Sequence, residues 1–290
     1  MKEPLVSVNI PTFNSEATLE KTLKSIKSQS YKNMEIILID GFSKDKTVKI
    51  AKRYGCKVGY ALAVGKARKL GFDMSRGVYI FFIDSDQTID KDTISECVKE
   101  CETGGYDEVT LFERSIVLNN TYLEKIIEYD KWIFHSLEDD DPLMGSAIPR
   151  FFRKKILSKI DWPVKLFMFE HNAIYIETLK FKPKVKFRAD LSIYHYEQNT
   201  WVKYIKRFFH YGQSYFICLK YYPKDVAMHS LPRRSYFTRK ALSKPDLWLG
   251  LILLYVIKGA SASLGGLAYI LRGGKDERSS ELEKGGIKEE

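Results

Sequence analysis

Residues 5–90 alternate short apolar runs with segments of helical period, and this pattern restricts the chain to one broad architecture. Leu5–Ile10 is a β-rich run, and Ser15–Gln29 places Ala17, Leu19, Leu23 and Ile26 at helical spacing. Met34–Ile39 predicts a buried strand, followed by the turn Gly41–Thr47 and a helix through Tyr54. A third strand is expected over Lys57–Ala63, a helix over Gly65–Ser75, and a strand over Val78–Ile83 that ends at Asp84. Such close alternation predicts an α/β fold, a Rossmann-like, mostly parallel sheet with helices on both faces. Ligands of these sheets bind beyond the carboxyl ends of the strands. The polar segments Pro11–Glu16, Asp40–Asp45 and Asp84–Thr88 are therefore expected to converge on one edge.

Further strands and helices are expected around Leu111–Val117 and Leu123–Phe134. The 290 residues are 44% hydrophobic, which excludes a wholly disordered, collagen-like or polytopic chain and suits about two domains. Cys56, Cys97, Cys101 and Cys218 form no CxxC pair and have no His at zinc spacing, so reduced structural thiols are expected. The opening MKEPLVSVNIP lacks the apolar stretch and cleavage site of a secretory signal, which predicts a cytoplasmic active domain. From Gly273 onward the chain has no periodicity, and residues 273–290 are expected to be a disordered tail.

The formal charge is +10, and it is unevenly spread. Residues 201–245 hold ten basic residues against the single Asp225, interleaved with aromatics such as Trp201, Tyr204, Phe208, Phe209 and Tyr211. That combination suits nucleic acid or a membrane surface. Leu247–Leu271 then contains no acidic residue and only Lys258 as a basic one, which favours the membrane. Lys258 near the middle of a span would cost about 2.5–3.5 kcal/mol. A single span and an in-plane or re-entrant helical pair therefore compete.

Candidate chemistry lies at the strand ends. Asp84-Ser85-Asp86 follows an apolar strand, and two carboxylates so placed repel each other unless a cation lies between them. A hard divalent ion, Mg2+ or Mn2+, held by carboxylates and phosphate oxygens, satisfies that requirement. Lys66 and Arg68, near the start of one predicted helix, can meet a diphosphate together with the helix amides. Asp40 can accept from a base or ribose, and Asp45 is expected to cap the helix that follows.

These motifs, taken in order, resemble family 2 glycosyltransferases of the GT-A fold. Val6–Asn14 looks like the opening of that family, Ile39–Thr47 like its second motif, and Gly65-Lys66-Ala67-Arg68 with Gly77–Ile80 and Asp84-Ser85-Asp86 like its third block with the metal-binding DxD. The resemblance covers residues 4–100 best and continues to about 215. It implies a UDP- or GDP-linked sugar donor, a divalent metal and inversion at the anomeric carbon. Pro11, Thr12, Asn14, Glu16, Asp40, Lys66, Arg68, Asp84 and Ser85 fall where such enzymes hold the nucleotide sugar, and Asp84 and Asp86 on the metal. Residues 1–200 would then be the GT-A domain, with 1–100 for the donor and 101–200 for the acceptor, and 201–272 membrane-associated helices.

Two departures bear on specificity and mechanism. Gly41 stands where the family usually has a second Asp, which in some relatives contacts uracil. The Glu-Asp of the family's acceptor site, followed later by a His, corresponds here to Glu170-His171 and His195. Glu170 or His171 would be the base, or none is needed, because a phosphate acceptor is already an anionic nucleophile. Such an acceptor wants cations, and Arg150, Arg153, Lys154 and Lys155 follow Pro149 in an expected loop. Phe151–Lys155 also resembles a stretch of dolichyl-phosphate mannose synthases. His195 is expected to orient the site, reach the metal or be a satisfied buried histidine. The expected enzyme transfers sugar to a polyprenyl-phosphate or lipid-linked acceptor at the cytoplasmic face of the cell membrane. The alternatives are extension of a soluble or surface polysaccharide and, from another class, nucleic-acid binding by residues 201–245. With the apolar segment directly following that stretch, no nucleic-acid partner is expected.

Overall fold

The computed structural model describes residues 3–135, 148–197, 200–229 and 234–274. The chain runs through β1 (Val6–Thr12), α1 (Leu19–Lys27), β2 (Met34–Asp40), α2 (Thr47–Arg53), β3 (Lys57–Tyr60), α3 (Val64–Met74), β4 (Tyr79–Phe82), β5 (Gln87–Ile89), α4 (Thr93–Glu102) and β6 (Glu108–Ile116). It continues through α5 (Tyr122–His135), β7 (Pro149–Arg153), α6 (Lys154–Leu157), α7 (Glu170–Leu179) and β8 (Val185–Tyr196). The C-terminal part is α8 (Trp201–Tyr221), α9 (Pro223–His229), a 3-10 turn over Arg234–Phe237, α10 (Arg239–Leu242) and α11 (Pro245–Leu271). Two compact units result: residues 1–116 with 138–196, and residues 117–137 with 197–290.

The first unit is built on one sheet of order β3-β2-β1-β4-β7-β6-β8-β5. β1 pairs in parallel with β2 and β4, β2 with β3, and β6 with β8, while β7 and β5 run against their neighbours. β1 is buried on both sides, with Val6, Val8 and Ile10 alternating with Ser7 and Asn9. Ser7 Oγ donates to Glu35, and Asn9 Oδ1 accepts from Ser75 Oγ. One main core joins Val6, Val8 and Ile10 to Leu19, Leu23 and Ile26 of α1 and to Ile94 and Cys97 of α4. A second sets Ile80, Phe82 and Phe152 against Phe72, Leu157 and Ile174, so helices cover both faces of the sheet as expected. All four cysteines are free thiols.

The expected loop after Pro149 is instead β7, inserted antiparallel between β4 and β6. Phe151 stacks on Tyr79, 5.0 Å between ring centres, and Phe152 meets Phe82 on the other face at 5.6 Å. Pro149 is tolerated as the first residue of the strand, where its missing N–H costs least.

In the second unit, α5 contributes Leu123, Ile126, Ile127 and Ile133 to a core with Tyr204 of α8 and Leu251 and Leu254 of α11. Residues 117–137, which chain order would assign to the acceptor part, thus belong to the helical unit. Within it, Tyr236 Oη donates to Asp130, 2.6 Å away. Of the expected tail, only Gly273 and Gly274 lie among the described residues.

Candidate active site

The first polar cluster forms where β1 and β2 end side by side, Thr12 opposite Asp40. Asp40 is fully buried, yet its carboxylate is well supplied with donors. It accepts from Thr12 Oγ1 at 3.1 Å, Ser43 Oγ at 2.6 Å and the Ser43 amide at 2.7 Å. Asn14 adopts a left-handed backbone (φ 47°), which Asn tolerates better than most residues, and its Oδ1 accepts from the Lys44 amide. Glu16 accepts from the Lys46 amide, and Asp45 from the Thr47 amide at 2.9 Å, the capping role expected for it. Pro11 is half-buried in β1 opposite Ile39. Gly41 sits against Phe13, and Phe42 contacts the Tyr60 ring at 5.6 Å.

The second cluster is cationic. Arg68 is 1% exposed on α3, so it is no part of a solvated helix face. Its guanidinium bonds to Asp84, comes within 3.5 Å of Glu170, and stands over the Phe82 ring at 5.3 Å. Arg150, from β7, lies 3.3 Å from the other Asp84 oxygen and 3.2 Å from Glu113 of β6. Both guanidinium groups also meet at Nε2 of His171, which must accept there, leaving the ring proton on Nδ1. Burial disfavours the charged imidazole, and Arg150 and Arg68 add repulsion, so its pKa falls to about 4. For Asp84 burial pulls the other way, but Arg68 and Arg150 outweigh it and hold the carboxyl well below its usual range.

Local backbone features bring these groups together. Gly65 opens α3 with its amide bonded to the Leu166 carbonyl at 3.0 Å; a Cβ there would lie 2.1 Å from the Pro163 carbonyl. Only glycine permits that approach. Phe169 precedes α7 in the left-handed region (φ 64°), a strained position for an aromatic residue, and turns the chain so that the helix begins at Glu170.

The third cluster joins Asp86 to β8. His195 Nε2 lies 3.2 Å from Asp86 Oδ2, and its Nδ1 is 3.9 Å from Glu113. Ser85 shares a 2.8 Å hydrogen bond with Ser15. Carboxylate oxygens beside an imidazole nitrogen suit Mn2+, and the carboxylates alone suit Mg2+, so the donor set fits a divalent ion. Glu113, which links this cluster to Arg150, carries no motif, and nothing in the sequence marks it.

Not every expected residue is here. Arg153 pairs in register with Tyr79 at the start of β4, while Arg150 lies toward its end, so the two point to opposite edges of the sheet. Arg153 binds the Tyr106 and Cys101 carbonyls and Glu102, and Lys155 lies 3.7 Å from Asp107. Lys154 donates to the Ser75 carbonyl. The expected acceptor-phosphate role of Arg153 therefore does not hold. Lys66 is half-buried in the first turn of α3, on a different part of the helix surface from Arg68.

A mostly parallel sheet that gathers carboxylates, buried arginines and a histidine beyond its strand ends places them where the ligands of such sheets bind. The family described as glycosyl transferase family 2 matches residues 7–177, more than half of the sequence, and this chain belongs to it. Over 161 residues the chain is 28% identical to the GalNAc(5)-diNAcBac-PP-undecaprenol beta-1,3-glucosyltransferase of Campylobacter jejuni, covering 51% of this chain and 50% of that enzyme. It is 34% identical over 106 residues to the amylovoran biosynthesis glycosyltransferase AmsB of Erwinia amylovora, covering 33% and 35%. The matched region thus spans half or less of these relatives. Among solved structures, Staphylococcus aureus TarS in complex with UDP-GlcNAc superposes with a TM-score of 0.57 at 16% identity, covering 98% of this chain and 93% of the other. The mannosyltransferase PcManGT from Pyrobaculum calidifontis, in complex with GDP-Man and Mn2+, gives 0.56 at 15%, covering 98% and 80%. These likenesses establish the GT-A fold.

Proposed function

We propose that this enzyme moves a sugar, with inversion, from a UDP- or GDP-linked donor to the phosphate of a polyprenyl phosphate, or to another lipid-linked acceptor, at the cytoplasmic face of the membrane. The observation that carries the acceptor class is His171 between two arginines. Its Nε2 lone pair is engaged by both guanidinium groups and its pKa is about 4, so it is a poor proton acceptor at neutral pH. A sugar hydroxyl needs a positioned base; a phosphate monoester is already anionic and needs cations. Arg68 and Arg150 supply them. The undecaprenol-linked substrate in the name of the Campylobacter relative supports a lipid acceptor, and the ligands of TarS and PcManGT support a nucleotide-diphosphate donor.

In this mechanism an acceptor phosphate oxygen attacks the anomeric carbon from the face opposite the leaving group. The bond from that carbon to the donor's β-phosphate oxygen breaks, and the nucleoside diphosphate departs with the electron pair. Thr12, Asn14, Glu16 and Asp40 hold the nucleoside end, and Ser85 and Lys66 the diphosphate. Asp84, Asp86 and His195 would hold Mg2+ or Mn2+, which when bound offsets the charge of the departing diphosphate. Arg68 and Arg150, kept apart from water by Phe82 and β7, orient the two anionic groups.

Glu170, 3.5 Å from Arg68, supports a second reading in which it deprotonates the hydroxyl of a lipid-linked sugar. Glu170→Gln separates the two. Transfer to polyprenyl phosphate is expected to fall less than tenfold; transfer seen only to the hydroxyl of a lipid-linked sugar, and lost a thousandfold or more in the variant, would assign the base to Glu170 and the acceptor to a hydroxyl.

A further inference from the structure

We propose that α11 lies in the plane of the membrane interface, one face entering a single leaflet, and does not cross the bilayer. The inference rests on the membrane association proposed above and specifies its geometry. By length and composition α11 could span: it has 27 residues and is apolar apart from Asp246 in its first turn, Lys258 at its midpoint and a few small residues. Its two faces differ, however. Leu249, Leu253, Val256, Leu264, Leu267 and Leu271 are exposed at intervals that keep them on one stripe. Leu251, Leu254, Ser261 and Gly265 are buried on the other side. Lys258, nine positions from Leu249, lies about half a turn round the helix from that stripe. Its ammonium stands over the rings of Phe208 and Tyr255, at 5.0 and 4.6 Å.

What argues against a span is the neighbour of α11. α8 runs beside it in the same direction: Phe208 meets Lys258, Gly212 meets Ala262, and Phe216 stacks on Tyr269. The backbones touch, for a Cβ on Gly212 or on Gly265 would come within 1.9 Å of the Ala262 or Phe209 carbonyl oxygen. A crossing α11 would therefore carry α8 into the hydrocarbon, with Lys206, Arg207 and His210 inside the paired stretch. Arg and Lys at mid-bilayer each cost about 2.5–3.5 kcal/mol. Laid flat, the pair meets no such penalty. The leucine stripe enters the acyl boundary while exposed Lys203, Lys206 and Lys220 of α8 reach the headgroups. The occupant of the stripe is an anionic bilayer, the partner that suits ten basic residues against one acidic residue over 201–245.

The test places single cysteines at Lys244 and Arg272, either side of α11, in a Cys56→Ser background whose three remaining cysteines are buried. Full-length variants in sealed cells and in inverted vesicles are treated with an impermeant maleimide. Both positions are expected to label from the cytoplasmic side only; labelling from opposite sides overturns the in-plane geometry. In parallel, Val256→Glu with Leu264→Glu is expected to lower flotation with phosphatidylglycerol vesicles at least tenfold with helix content unchanged. Unchanged flotation of this variant overturns the stripe as the lipid face. Wild type that never floats and runs as a dimer would assign the stripe to a second copy, and with it the membrane association itself would fail.

Discussion

Arg68 and Asp84 are joined by a part-buried guanidinium–carboxylate bond between α3 and the segment just past β4. The protein thereby neutralises one carboxylate of its DxD, while the other, Asp86, pairs with His195. The two carboxylates thus have different neighbours and are expected to fail differently when removed.

Asp86→Ala should abolish metal-dependent transfer with little change in melting temperature. Asp84→Ala should also abolish it but cost about 1–3 kcal/mol of stability, by leaving Arg68 buried without this partner. That is less than for a wholly enclosed pair, since Asp84 keeps some contact with water. Calorimetry and a Mn2+ titration of each variant check this, and full activity of chelator-treated wild type would contradict it.

Arg68→Ala should weaken binding of the nucleotide sugar by about 1–3 kcal/mol, the range for a charge-assisted hydrogen bond. Titration calorimetry with the donor measures it. Unchanged affinity would confine Arg68 to holding Asp84 and Glu170.

His171 should make stability fall on the acid side. Its folded pKa of about 4 lies below the ordinary imidazole value of 6.5, so between those values the unfolded chain binds more proton than the folded one. Stability therefore decreases as pH drops through that window. His171→Asn, which keeps an acceptor for the arginines, should lessen the slope, as followed by chemical denaturation over pH 4 to 7.

Glu108 has the opposite sign. Burial pushes its carboxyl up to about 8, with Thr178 opposing only in part, so the folded state holds a proton that the unfolded chain releases near 4.5. Its contribution is fully present below that value and is lost as pH rises through about 8. Glu108→Gln should remove this loss and raise stability at alkaline pH by an amount on the order of a few kcal/mol. An unaltered pH profile in the variant would contradict it.

The parallel half of the fold was legible because its strands are continuous apolar runs and its loops are short and polar, as at Met34–Asp40 and Tyr79–Asp84. Arg68 stood out in the sequence as a candidate for the donor, but not as the partner of Asp84. Chain order does not reveal which side of α3 faces the end of β4. Arg150 and Arg153 looked equivalent because a loop would place them together. A strand separates residues three apart by about 10 Å, and here it sends them to opposite edges. Glu113 and α5 were missed for a related reason: their roles depend on strand order and on packing between distant segments, which local periodicity does not encode. The exposed stripe of α11 was concealed because apolar residues occur on every side of that helix; its packing against α8 and α5 separates its faces.

The most direct test of the proposed chemistry is the bond made in the product. Full-length enzyme in phosphatidylglycerol vesicles, with Mn2+, UDP- or GDP-linked labelled sugars and undecaprenyl phosphate, should yield label that partitions into organic solvent. Mild acid should release it as free sugar from a single phosphodiester, with one nucleoside diphosphate formed per sugar. Label found only on a hydroxyl of a lipid-linked sugar or polysaccharide, with undecaprenyl phosphate inert, would contradict transfer to phosphate.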